Sequence, residues 1–216
     1  FADLGAPLVE GPPRAAAATD PEGRFRLAVS DLGEFEVRAI TDGGSTDPIA
    51  WYNLAGVYAL LGRADDAFAA LEDARARVAS ALGAGSSTEI TFTSGATEGN
   101  NLVLVGVARA LEARGRHLIT QVTEHAAVLE PLRALERQGW ELTLIGVDRE
   151  GRIRLDELAT ALRPETSLVS LMLANNETGT LQPVVEAAAL AHQHGALIHC
   201  DAAQGPGKIL TDVIAL

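Results

Sequence analysis

Apolar and polar residues alternate singly in two early stretches: GRFRLAV sets Phe25, Leu27 and Val29 on one face, and GEFEVRAI does the same with Phe35, Val37 and Ala39. A period of two is that of a half-buried strand, so two strands are predicted around a turn at Asp31, Leu32 and Gly33 within a small β piece spanning about residues 7–41. After a Gly-, Ser- and Pro-containing linker at 43–48 the rhythm becomes helical, with Trp51, Leu54, Ala55 and Tyr58, then Ala67, Leu71 and Ala74, around a turn at Leu61, Gly62 and Arg63. A third rhythm starts near Ala81. Strand patterns over 89–95, 117–122, 141–147, 167–174 and 196–201 alternate with helical patterns over 98–114, 126–138, 156–163 and 183–194. Short apolar strands separated by helices imply a parallel sheet covered on both sides. The expected fold class is α/β: a mostly parallel sheet with helices on both faces over 81–216, preceded by a short β segment (1–47) and a helical hairpin (48–80).

Open sheets of this kind bind ligands beyond the carboxyl ends of their strands. Polar clusters stand directly after four of the predicted strands: Ser94-Gly95-Ala96-Thr97-Glu98-Gly99, Thr123-Glu124-His125, Asn175-Asn176-Glu177-Thr178-Gly179 and Asp201-Ala202-Ala203-Gln204. Each has a simpler reading alone. Thr97 can cap a helix, His125 can cap or pack, the two asparagines can build a turn on their own backbone, and Asp201 can cap the next turn. Taken together they match a ligand with a phosphate, a flat ring and a protonated ring nitrogen. The helix start at Ala96 and Thr97 offers N–H groups and a dipole to an anion. His125 offers a face for stacking, Asn176 and Gln204 can donate to a ring oxygen, and Asp201 can hold a pyridinium N–H. That is the protein's share of pyridoxal phosphate chemistry.

Composition narrows the field further. The 216 residues are 47% hydrophobic and carry 17 Lys+Arg against 29 Asp+Glu, a formal charge of -12 that repels nucleic acid. No apolar run reaches the ~20 residues that span a bilayer, so no membrane partner is expected. A single cysteine, Cys200, excludes an intramolecular disulfide and a Cys-rich zinc site, and no metal site is expected. All but one of the 17 positive charges are arginine, so Lys208 is the sole side-chain amine available for Schiff-base chemistry. The sequence opens on Phe1 rather than methionine, and a fragment or a fusion is expected.

The runs ARARVASALGA, ITFTSGATEGNNLVL, TEHAAVLEP, LANNETGTLQP and HCDAAQGPGK succeed one another in an order that resembles cysteine desulfurases, members of the fold-type I, class V aminotransferase group. The resemblance starts near residue 74 and covers about two thirds of the sequence. It implies pyridoxal 5'-phosphate as cofactor, with Ala96 and Thr97 on its phosphate, His125 stacked on the ring and assisting proton transfer as the catalytic residue, Asn176 and Gln204 on the ring oxygen, and Asp201 on the ring nitrogen. It further implies L-cysteine as substrate, sulfur passed to an acceptor protein for iron-sulfur cluster or thiolation pathways, a homodimer and a cytoplasmic location. Three parts of the family pattern are not met, one being the family's amino-terminal segment, in whose place the β piece and the helical hairpin stand. The lysine that holds the cofactor belongs to a Ser-x-His-Lys motif absent here, Lys208 matching a structural lysine instead, and the persulfide-carrying cysteine belongs to a loop that Cys200 does not match. An inactive isolated chain is therefore expected. The β piece weakly resembles carboxypeptidase-regulatory-like modules, and 48–80 resembles one tetratricopeptide repeat. The alternative function is accordingly a non-catalytic partner-binding protein of the tetratricopeptide type.

Overall fold

The computed structural model describes residues 15–19, 25–29, 33–37 and 64–213. The chain divides into two compact units, Phe1–Thr91 and Phe92–Leu216.

In the first unit, β1 (Ala15–Thr19), β2 (Phe25–Val29) and β3 (Gly33–Val37) form an antiparallel meander. Phe25 stands opposite both Thr19 and Val37, and Val29 opposite both Ala15 and Gly33. The two alternating stretches thus form the predicted pair, and β1 is an addition: four alanines carry no period, and pairing with β2 makes them a strand. Helix α1 (Ala64–Ala81) begins with Asp65 and Asp66, acids that suit the positive end of the helix dipole, and buries Ala70, Ala74 and Ala79. The first helix of the tetratricopeptide-like pair and its turn lie outside the described residues.

The second unit is a three-layer α/β structure. Strands β4 (His117–Gln121), β5 (Glu141–Ile145), β6 (Thr166–Met172) and β7 (Leu197–Asp201) run parallel in the order β5-β4-β6-β7. Every residue of β6 is buried, as a central strand covered on both faces requires. Helices α2 (Ala96–Ala110) and α3 (Ala126–Glu136) cover one face, packing Leu104, Ala108, Val128, Leu132 and Leu135 on Leu118 and Leu168. On the other face α4 (Leu155–Ala161) and α5 (Val184–Gln193) set Leu158, Val184, Ala187 and Ala191 against Ile119, Val169 and Leu171. The alternation of the pleat explains the split: neighbours along a strand serve opposite cores.

One strand prediction is overturned. Residues 89–95 form no strand; Ser87–Glu89 makes a single 3-10 turn capped by the Ser86 hydroxyl, and the chain then runs extended into α2. Ile90, Thr91 and Phe92 have strand propensity, but strand formation needs a ladder neighbour, and none of the sheets among the described residues includes this stretch; the Ile90 N–H donates to the Ser87 carbonyl and the Ile90 carbonyl accepts from Arg75 instead.

Candidate functional site

A cleft of about 220 Å³ opens at the carboxyl end of the parallel sheet. All six residues singled out from the sequence line it: Ala96, Thr97, His125, Asn176, Asp201 and Gln204. They come from the start of α2, the segments that follow β4 and β6, and the end of β7 with the turn after it; the last three stand together because β4, β6 and β7 are parallel.

The first wall is the start of α2. Gly95 is the N-cap and makes no side-chain cap, so Thr97 is not the capping residue; it stands second in the helix and is exposed. The turn is held instead by Glu98, whose Oε2 accepts from the Ser94 backbone N–H at 2.6 Å and from the Ser94 hydroxyl. The Ser94 hydroxyl and then its N–H hold the Glu98 carboxyl below the usual range. This bond turns the glutamate back toward Ser94. The first-turn N–H groups, which have no partner within the helix, remain available to an anion.

The second wall is His125. It caps α3, its Nδ1 accepting from the Ala127 N–H at 3.0 Å. The capping and pocket readings therefore coincide: the cap fixes the ring orientation and leaves Nε2 to carry the ring proton.

Asn175 builds the third wall and Asn176 occupies it. The Asn175 Oδ1 accepts from the N–H groups of Glu177 and Thr178, both at 2.9 Å, and its Nδ2 donates to the Thr123 carbonyl at 3.2 Å. Gly179 closes the turn with φ of 75°, a left-handed backbone that favours glycine, its N–H donating to the Asn175 carbonyl. With Asn175 committed to the turn, Asn176 is left at the cleft.

The floor is the end of β7. Asp201 lies opposite Met172 of β6. Its Oδ1 accepts from the Ala203 N–H at 3.0 Å and its Oδ2 from the Asn100 amide at 2.8 Å. No salt bridge reaches it among the described residues. Gln204 lines the rim, and its Oε1 accepts from the Lys208 ammonium, which leaves the Gln204 amide nitrogen free to donate. Beneath the floor His199 bonds Ser170 through Nδ1 at 2.9 Å, and burial lowers its pKa, so it is neutral near pH 7.

Three contributors escaped the sequence reading. Asn100 is buried one helical turn beyond Ala96 and Thr97, a spacing that places a polar side chain on the same inward face. Met172 lines the floor, and Glu124, 6% exposed, supports it from behind, its Oε1 accepting from the Met172 N–H at 2.6 Å. Cys200 is not part of the site. It is one residue from Asp201 and so faces the opposite side of the sheet, among Leu171 and Ile198, where burial and then the charges of Asp201 and Glu124 push its thiol up to about 12.

The aminotransferase class-V family model matches residues 51–216, more than half of the sequence. The chain belongs to the aminotransferase class-V family. The match takes in the segment with tetratricopeptide-like spacing, and the partner-binding alternative gains no support from it. Members of this family that resemble the chain are cysteine desulfurases. Cysteine desulfurase IscS of Anaeromyxobacter sp. (strain K) is 50% identical over 147 residues, covering 68% of this chain and 36% of the relative. A solved NIFS-like protein superposes with a TM-score of 0.64 at 42% identity, over 66% of this chain and 39% of its own. A structure of SspA in complex with cysteine gives a TM-score of 0.67 at 37% identity, over 71% and 44%. The chain thus spans about a third of the length of that curated relative. Class V aminotransferases and cysteine desulfurases are pyridoxal phosphate-dependent. No helix among the described residues is long and apolar enough to cross a membrane.

Proposed function

We propose that this chain forms the cofactor-facing wall of a cysteine desulfurase that binds pyridoxal phosphate and removes sulfur from L-cysteine for a sulfur-acceptor protein. The observation that carries the reading is the floor: a carboxylate at the end of β7, oriented by Asn100 and Ala203 and lacking a cation, faces a helix start with free N–H groups across one cleft. Such a pair suits a ligand with a cationic ring nitrogen at one end and a phosphate at the other.

The bound cofactor supplies an electron sink for bonds at the substrate's α carbon. The protein's own groups bind, orient and move protons. The N–H groups at Ala96 and Thr97 hold the phosphate, and Asp201 keeps the ring nitrogen protonated through a charge-assisted hydrogen bond. Asn176 and the Gln204 amide donate to the ring oxygen. His125, its Nδ1 tied to Ala127, presents its ring for stacking and exchanges a proton at Nε2. Lys208 donates to Gln204 at the rim of the cleft, and Cys200 lies on the far side of the sheet. A homodimer working in the cytoplasm belongs to the same proposal.

Titration of the chain with pyridoxal phosphate, followed by its absorbance and by borohydride reduction with peptide mapping, tests this. Saturable binding with no reduced adduct on Lys208 is expected. Asp201→Asn should weaken it by roughly 10- to 100-fold, the worth of a hydrogen bond to a charged group of ~1.5–3 kcal/mol. Absence of saturable binding, or binding indifferent to Asp201→Asn, refutes the reading.

A further inference from the structure

The pocket floor holds two acids, and they stand in different circumstances. Asp201 is half-buried at the cleft and receives two hydrogen bonds. Glu124 lies behind it, 6% exposed, and receives one bond, from the Met172 N–H to Oε1. Its Oε2 is buried and makes no well-aligned hydrogen bond, and neither do the polar atoms of Gln121, whose side chain stands close enough to favour the ionised form by hydrogen bonding. An ionised carboxylate in that place is a buried charge with only the Met172 N–H well aligned to it and no salt bridge among the described residues, a severe cost. A proton on Oε2 removes the charge and gives the acid a hydrogen to direct at the amide oxygen of Gln121.

We propose that Glu124 is a positioning residue of the cleft: an uncharged acid that fastens the Met172 backbone with one oxygen and leaves Asp201 as the only ionised group of the floor. Met172 lines the cleft and stands opposite Asp201 in the ladder, so the bond to its N–H sets the height of β6 against the working carboxylate. A floor with one negative charge matches a ligand ring with one positive charge. This selectivity rests on the pyridoxal phosphate reading; the protonation of Glu124 does not.

The groups that face Glu124 define its titration. Burial raises its pKa to about 8, the Met172 N–H opposes this, the negative charge of Asp201 raises it further, and the Gln121 side chain lowers it by hydrogen bonding. Cys200, on the same strand as Asp201, is coupled to Glu124 as a thiol that stays protonated, and His125 is the next residue along the chain. No salt bridge joins Glu124 among the described residues.

The test is carbon NMR of the full chain with labelled glutamate side chains, titrated without ligand over roughly pH 4 to 9. One glutamate, assigned by its loss in Glu124→Gln, should remain protonated past neutrality and titrate near 8. Asp201→Asn should lower that midpoint by roughly one unit, because a neighbouring charge is removed. Glu124→Gln keeps an oxygen for the Met172 N–H; should it fail to fold, the outlying signal in the unaltered chain and its response to Asp201→Asn decide the matter. A Glu124 already ionised below neutrality, or a midpoint unmoved by Asp201→Asn, overturns the proposal. Adding 4-deoxypyridoxine 5'-phosphate, which has the ring and phosphate but no aldehyde, should lower the midpoint further. A ligand that fails to bind defeats the functional reading alone and leaves the ligand-free result to judge Glu124.

Discussion

Cys200 offers a clean kinetic prediction because it is the only thiol in the sequence. The thiolate is the species that attacks disulfides and alkylating agents. With the thiol pushed from 9.0 to about 12, first by burial and then by Asp201 and Glu124, its thiolate population at any pH below both values falls about 1,000-fold. Packing among Leu171 and Ile198 adds obstruction to this electrostatic factor. The assay compares the rate of reaction with an aromatic disulfide near pH 8 in the native chain and in the chain unfolded by guanidinium. The native rate should be lower by about 1,000-fold or more, and should rise roughly tenfold for each pH unit, the slope expected of a thiol well below its pKa. Native and unfolded chains reacting at similar rates would refute the placement of Cys200 behind the sheet, and would return it to consideration as a sulfur carrier.

Two further outcomes concern the third wall and the floor. Asn175→Ala removes the acceptor for two backbone N–H groups and the donor to Thr123, so it should lower unfolding stability by about 1–3 kcal/mol in denaturant titration and weaken pyridoxal phosphate binding through misplaced Asn176. Glu124 gives a pH dependence. An unfolded glutamate titrates near 4.5 and the folded one near 8, so the native state holds the extra proton between these values. The stability this contributes is complete below about 4.5 and is lost as pH rises through 8. Between those limits the unaltered chain should lose a few kcal/mol of stability relative to Glu124→Gln; parallel pH profiles would contradict the assignment.

The sheet was readable because its strands are short apolar runs bounded by helices, a pattern set by burial on both faces. Four of the five strand stretches are strands. The fifth, 89–95, shows the limit: Ile90, Thr91 and Phe92 satisfy the local preference, but strand formation is a pairing event. The same limit works in reverse at Ala15–Thr19, where four alanines with no strand pattern become β1 because β2 pairs them. The gathering of Ala96, Thr97, His125, Asn176, Asp201 and Gln204 around one cleft was legible because parallel strands put their connecting loops together. Asn100 and Glu124 were not. Each acts through another site residue: Asn100, which also lines the cleft, orients Asp201, and Glu124 holds the Met172 backbone beside it. Such partnerships join residues far apart in sequence, and no spacing rule encodes them.

The missing strand before α2 bears on the strength of the anion site. In an α/β unit a strand leading into a helix fixes the position of the helix start, and its loss would leave that start loosely placed. Here the bond network of Glu98 to the Ser94 N–H and hydroxyl, with Thr93 donating to the Gly95 carbonyl, defines the turn from within. The inner end is fixed separately, by the Asn100 amide on Asp201 of β7. A helix held at its entry by its own loop and one turn later by the sheet keeps its first N–H groups aimed at the cleft without a strand to lead it in. The helix start and the carboxylate floor are therefore one mechanical unit: the side chain that orients Asp201 also anchors the helix whose first N–H groups form the proposed anion site.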